Sequence, residues 1–282
     1  MQQITTIKVL REKLATIRDT GKKITLVPTM GNLHAGHLSL VKQAQELADY
    51  VVVSVFINPS QFVAGEDFVS YPRSLETDLE LLNNLNVDMV FIPDTSEIYP
   101  DDNQITTEVI VPELDSIYCG EYRPGHFKGV ATIVTKLFNI VQPNIAVFGE
   151  KDYQQLLVIR SLVKNLNLPI EIIGSPTLRE DDGLAMSSRN QYLTEVERRQ
   201  APLLYKCICE TATAIENGDK NYEKLESDAI SLLKEAGFNP EYLSICDSQT
   251  LKQPLNQGLV ILSAAWLGKA RLIDNVAVQP YD

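Results

Sequence analysis

No uninterrupted apolar stretch of the 282-residue chain approaches the roughly 20 residues that a membrane-spanning helix needs. Its first residues do not combine a basic start, an apolar run and a small-residue cleavage site either. The expectation is a protein that stays in the cytosol, with no membrane partner. Positive charge is in deficit: 25 lysines and arginines face 37 aspartates and glutamates, a formal net charge of -12. A nucleic-acid binder would usually present a basic surface, so no nucleic-acid partner is expected. Net charge is a sum and not a map, and a local basic cleft for a small anion stays open. Cysteine is scarce too. Cys119, Cys207, Cys209 and Cys246 are spaced neither as a zinc site nor as a disulfide framework. They are expected as free thiols in a reducing compartment.

What is present in the first half is an alternation. Apolar runs at Ile24–Pro28, Val51–Ile57, Val87–Ile92, Ile145–Phe148 and Ile170–Ile173 read as buried strands. Between them, Gly36–Ala48, Leu75–Leu85, Gly129–Val141 and Tyr153–Leu166 carry apolar residues at helical spacing. Strands alternating with helices predict an α/β fold: a Rossmann-like parallel sheet with helices on both faces. The pattern changes after Pro176. Thr194-Glu-Val-Glu197 reads as a capping box opening a helix that runs to Ile215. After the turn signal Asn217-Gly-Asp219 comes a further helix to about Ala236, then strands at Tyr242–Cys246, Leu259–Trp266 and Ala270–Val278, expected to be largely antiparallel. The expected division is residues 1–177 and a smaller α+β domain, 178–282.

Two of the chain's three histidines fall in one four-residue window, Pro28-Thr-Met-Gly31-Asn-Leu-His34-Ala-Gly36-His37. The window lies where the first strand turns into a helix, the place where α/β folds bind ligands. Free N–H groups and the positive dipole end of the helix suit phosphate there. Imidazoles can add hydrogen bonds as charge builds in a transition state. A surface pair beside a helix cap and a metal pair are the competing readings, and no further His or Cys cluster completes a metal site. Phosphate binding is favoured over both.

Three further stretches offer polar groups, two of them at strand ends and one in a flexible polar stretch. Phe148-Gly149-Glu150-Lys151-Asp152-Tyr-Gln-Gln155 follows a strand and opens a helix. Lys151 there suits a movable point charge on phosphate, and Asp152 either caps the helix or holds a ribose hydroxyl. Gly183-Leu-Ala-Met186-Ser187-Ser188-Arg189-Asn190 offers hydroxyls and a guanidinium to a polyphosphate, although composition alone reads equally as a serine-rich loop. Asn58-Pro-Ser-Gln61 ends another strand, and taken alone it reads as a plain turn.

The histidine window resembles the HxGH signature of the nucleotidylyl-transferase superfamily, and Met186–Asn190 resembles the flexible element that accompanies it. With Val27–Leu40, Val53–Phe62, Tyr71–Arg73, Arg123-Pro-Gly-His126-Phe, Phe148–Leu156 and Asp182–Asn190 in order, residues 20–195 resemble the pantothenate synthetase family. The C-terminal part matches more loosely. That resemblance implies an ATP-dependent ligase that activates pantoate as an acyl-adenylate and passes it to β-alanine, releasing AMP and pyrophosphate. It implies Mg²⁺ with ATP, a C-terminal domain acting as a lid, and a homodimer.

Residue by residue, it implies His34, His37, Lys151 and Arg189 as catalytic groups. Met30, Gly149, Asp152, Met186, Ser187 and Ser188 join them in binding ATP. Asn58, Gln61 and Gln155 hold pantoate, with Met30 on its methyl groups and Arg123 and His126 lining the cavity. Asp78 matches an acidic position near Mg²⁺. Cys119 departs from members that carry glutamate there. A sister enzyme that adenylates a phosphate would want extra basic groups in place of Asn58, Gln61 and Gln155. A silent nucleotide-binding protein would not need the full set of histidines, lysine and arginine.

Overall fold

Six short parallel strands form the larger of two sheets. In the computed structural model, which describes residues 1–100, 107–254 and 258–278, these are β1 (Gln2–Ile4), β2 (Ile24–Thr29), β3 (Tyr50–Val55), β4 (Met89–Phe91), β5 (Ile145–Gly149) and β6 (Glu171–Ser175). Their order across the sheet is β1-β4-β3-β2-β5-β6, with every pair parallel. The helices between them are α1 (Ile7–Asp19), α2 (Ala35–Leu47), α3 (Leu75–Asn84), three single turns α4 (Thr95–Ile98), α5 (Pro112–Asp115) and α6 (Cys119–Tyr122), then α7 (His126–Val141) and α8 (Tyr153–Asn165). The central strands are apolar along their length because both faces are covered: Leu26, Val27, Val52, Val53 and Val147 are each fully buried.

Strand order reverses between β2 and β5. From β2 the chain passes through α2 to β3 on one side, and from β5 through α8 to β6 on the other. The two neighbours are fastened at their base, where Ile24 N–H donates to Asn144 Oδ1 at 2.8 Å and Asn144 N–H donates to the Ile24 carbonyl at 2.9 Å. A crevice opens at the carboxyl ends of two strands that part in this way.

By internal contacts the chain divides into Met1–Glu150 with Gln154–Pro176, and Lys151–Tyr153 with Thr177–Asp282. The second unit carries α9 (Glu195–Gln200), α10 (Leu203–Glu216), α11 (Tyr222–Glu235) and an antiparallel sheet of β7 (Asn239–Asp247), β8 (Leu259–Leu267) and β9 (Ala270–Val278). Its core packs Leu204, Ile208, Leu233, Leu243, Ile261 and Leu272. The capping box forms as expected: Thr194 Oγ1 accepts from Glu197 N–H, and Glu197 Oε2 accepts from Thr194 N–H. The long helix expected after it is two helices. Pro202 has no N–H to give the backbone ladder, and α9 ends at Gln200 before α10 begins. The four cysteines are free thiols.

Candidate active site

The turn from β2 into α2 is held by Asp78, which the sequence places within α3. Gly31 and Asn32 take left-handed φ values of 78° and 50°. These aim the next amides at the carboxylate, and Asn32 N–H and Leu33 N–H each donate to Asp78 at 2.8 Å. Ser74 Oγ donates to the same group at 3.1 Å. A Cβ on Gly31 would come within 3.0 Å of Asp78 Oδ2 and 3.1 Å of Val55 Cγ1, which is why glycine stands there. Asp78 is 1% exposed. Asp78, the position expected near magnesium, is buried with both oxygens on backbone donors, and in this arrangement it shapes the turn. Among the described residues no group of three or more His, Cys, Asp or Glu forms a metal cage.

His34 and His37 cap α2 jointly. His34 Nδ1 accepts from Gly36 N–H at 3.1 Å, and His37 Nδ1 accepts from His34 N–H at 3.3 Å. Their ring centroids lie 4.1 Å apart. This is the capping-box arrangement with imidazoles in both places. Because each Nδ1 serves as an acceptor, the proton of each neutral ring resides on Nε2. Two N–H donors thus stand beside the start of a helix whose amides and dipole already favour anions.

The turn after β3 is built around Asn58, 1% exposed. Its Oδ1 accepts from Tyr99 OH at 2.8 Å and Ser60 Oγ at 2.9 Å, and its Nδ2 donates to Gln61 Oε1 and the Gly129 carbonyl, both at 3.2 Å. Asn58, expected to contact the substrate, has its side-chain amide engaged by these protein groups and holds Gln61. The Gln61 side chain reaches Met30, with Nε2 2.9 Å from Sδ. Arg123 and His126, expected to line the substrate cavity, are engaged with other protein groups. Arg123 grips Glu66 through Nε and through Nη2, the latter at 2.9 Å, and its Nη1 lies 2.9 Å from His126 Nε2. His126 Nδ1 lies 2.7 Å from the Gln61 carbonyl. Gln155 is half-buried near the start of α8. The adjacent Gln154 is buried and fastens Cys119 N–H and the Leu114 and Ile117 carbonyls. Gly149 ends β5, and a Cβ there would meet no heavy atom within 4 Å.

The remaining expected groups belong to the second unit. Lys151 is half-buried, and its carbonyl accepts from Asn275 Nδ2 at 3.0 Å. Its ammonium is held below the usual lysine range, first by burial and further by Arg189 and Arg179, while Asp152 and Asp274 oppose the shift. Asp152 is exposed. Met186, Ser187, Ser188 and Arg189 are all half-buried. Ser187 caps the single turn Ser188–Tyr192, its Oγ accepting from Arg189 N–H at 3.3 Å. Lys151, Ser187, Asn190 and Asp274 line one small pocket with Leu204 and Arg271.

Sequence reasoning missed Arg179 and Asp274. Arg179 makes a two-pronged pair with Asp274 at 2.7 and 2.8 Å, and its guanidinium lies over the Tyr205 ring at 3.3 Å. A signal existed. Asp274 falls on the buried alternation of β9, after Ala270 and Leu272, where an apolar residue would be expected. A charge on that face requires a partner.

A family model described as pantoate-beta-alanine ligase matches residues 2–277. The pantothenate synthetase of Hahella chejuensis is 53% identical over 274 residues, which is 96% of this chain and 97% of that one. That of Azotobacter vinelandii is 50% identical over 99% of each. Among solved structures, the pantothenate synthetase of Thermus thermophilus superposes with a TM-score of 0.92 at 42% identity, covering 99% of this chain and 100% of that one. The pantoate-beta-alanine ligase of Francisella tularensis, complexed with beta-gamma ATP and beta-alanine, gives 0.78 at 37% identity over 98% and 97%.

Proposed function

The chain belongs to the pantoate–β-alanine ligase family, and from that premise we propose how its residues carry the reaction. The activity is the ATP-dependent joining of pantoate to β-alanine through a pantoyl adenylate. Chemistry requires an activated acyl group, because an amine does not displace oxygen from an anionic carboxylate, and in this family the activated form is the adenylate. A pantoate carboxylate oxygen attacks the α-phosphorus of ATP and pyrophosphate leaves. The amine of β-alanine then attacks the acyl carbon, AMP leaves with the bonding pair, and the amine sheds a proton. No side chain needs to form a covalent bond, so the protein's contribution is positioning and charge stabilisation.

The observation that carries this reading is the double histidine cap, with Nδ1 of both rings accepting from backbone. His34 and His37 then present Nε2–H donors to phosphate oxygens as negative charge builds at the α-phosphate. Gln61 and Gln155 hold the pantoate hydroxyls and carboxylate, with Met30 against its methyl groups. In the second unit, Lys151 and Arg189 bind phosphate with the Ser187 and Ser188 hydroxyls, Asp152 takes the ribose, and Met186 contributes to nucleotide binding. Gly149 allows close approach of the nucleotide.

Mg²⁺ belongs to this reading as an ion carried by the ATP phosphates, which suits a cation that keeps most of its waters. The homodimer rests on the family resemblance, and sedimentation of the purified protein checks it; the cytoplasmic location is the expectation drawn from the sequence.

The test is pyrophosphate release from Mg-ATP. Release that requires pantoate, amounts to about one equivalent without β-alanine and turns over with it supports the scheme. Folded protein that releases none with pantoate overturns the substrate assignment.

A further inference from the structure

We propose that Glu66, Arg123 and His126 form a closed clamp that positions Gln61, and that they are positioning residues for the acid substrate and not ligands of it. The inference rests on the reading of Gln61 as a pantoate ligand.

The clamp is traced by its hydrogen bonds. A carbonyl only accepts, so the 2.7 Å contact of His126 Nδ1 with the Gln61 carbonyl is an Nδ1–H donation. Guanidinium only donates, so His126 Nε2 accepts from Arg123 Nη1 at 2.9 Å. The other two edges of the guanidinium grip Glu66. Glu66 Oε2 in turn accepts from Val63 N–H at 3.2 Å. The chain of contacts therefore leaves the 61–66 segment at Gln61 and re-enters it at Val63 and Glu66.

Its anchor is the start of α7, where His126 is 7% exposed. The Arg123 and Glu66 side chains are 14% and 16% exposed, so their pair is shielded from solvent and salt. Asn58 fixes the Gln61 side chain from one side, and the clamp fixes its backbone from the other. A glutamine with its carbonyl and its amide oxygen held, and one Nε2–H directed to Met30 Sδ, presents its other Nε2–H in one direction.

The three histidines of the chain consequently fall into two tautomers: Nε2–H at His34 and His37, Nδ1–H at His126. That difference provides a readout that does not depend on activity. In ¹⁵N-histidine-labelled protein, one imidazole is expected with a protonated Nδ1 and two with a protonated Nε2. Glu66→Gln, which loosens the grip on Arg123, is expected to drive the His126 signal toward mixed tautomers while the other two stay put. Three Nε2–H rings in the unaltered protein overturn the clamp, as does a His126 signal that ignores Glu66→Gln.

The kinetic arm compares His126→Ala with His126→Asn, whose side-chain amide can replace the Nδ1–H donor. His126→Ala is expected to raise KM for pantoate about tenfold or more with KM for ATP unchanged, and His126→Asn to recover most of the loss. An unchanged pantoate KM in folded His126→Ala overturns the proposal, and so does an Asn variant no better than Ala. Gln61→Ala separates the two layers. It keeps the carbonyl, so the His126 tautomer is expected to persist. If its pantoate KM is also unchanged, the reading of Gln61 as a ligand falls while the spectrum still decides the clamp.

Discussion

Gly129 and Ser60 touch backbone to backbone: a Cβ placed on Gly129 would lie 2.1 Å from the Ser60 carbonyl oxygen and 2.7 Å from Gln61 Cα. Helix α7 packs against the Asn58–Gln61 turn at a distance that only glycine permits. Gly129→Ala therefore has to push that turn outward and take Gln61 with it. The expected outcome is a folded enzyme with pantoate KM raised about tenfold or more and ATP affinity retained, measured by steady-state kinetics with each substrate varied. Unchanged pantoate kinetics would mean that Gln61 tolerates the shift.

His34 has an observed role as a helix cap and a proposed one at phosphate, and substitution can separate them. Its Nδ1 caps α2, and its Nε2–H is assigned to the α-phosphate. His34→Ala is expected to lose both, costing about 1 kcal/mol of stability and slowing adenylate formation about 10²-fold or more. His34→Ser restores a cap but not the distal donor, so it should recover the melting temperature and stay slow. A serine variant with normal single-turnover adenylation would remove the phosphate role.

Lys151 gives a pH dependence with a definite sign. Burial holds its folded-state proton affinity below the usual lysine value, so the ammonium is lost at lower pH than from an ordinary lysine. Phosphate binding needs the charge, and the rate should therefore fall on the alkaline side below the usual lysine range. Lys151→Arg, charged throughout, should shift that fall upward. Stability runs the other way. Between the folded and unfolded values the unfolded chain binds more protons, so this group's contribution to stability rises with pH across that window. Lys151→Met should be stabilised most at neutral pH and lose that advantage as the window is crossed, which thermal melts against pH measure.

Asp78 is tested by dissociating turn geometry from metal dependence. Asp78→Asn turns one acceptor into a donor facing a backbone N–H, a mismatch of about 1–3 kcal/mol. The expected result is a lower melting temperature and slower adenylation, with the Mg²⁺ concentration for half-maximal rate unchanged. A large rise in that concentration would return Asp78 to the role of metal ligand.

The parallel sheet, the strand-to-helix turns and the three-stranded antiparallel sheet were legible because apolar periodicity is a local signal. Strand β1 was not: three residues, Gln2–Ile4, carry no periodicity of their own and are defined by pairing with β4. Pro202 is a local signal for a break in the helix after Thr194, and apolar periodicity running through it masks that break. Among the candidate site groups, His34 and His37 stood out by spacing, Lys151, Asp152 and the Ser187–Arg189 stretch by residue type and position, and the others came with the motif resemblance. What spacing could not give was which polar groups contact ligand and which hold those that do. Asn58, Asp78, Arg123 and His126 lie in the motifs, yet each also bonds to protein atoms distant in sequence: Tyr99 and Gly129, Asn32 and Leu33, Glu66, and Gln61. That distinction depends on burial and partner geometry, which one-dimensional patterns do not carry.

The fastening of β2 to β5 also sets a time order. Ile24 and Asn144, which lock the base of that strand pair, are 120 residues apart. Contacts of such long range are entropically costly to close and form late in folding. A nascent chain that ends before residue 140 already contains the histidine turn but has no neighbouring strand on that side. Competence to bind nucleotide in the crevice is therefore expected to arise in a single late step of synthesis, not gradually as the chain lengthens.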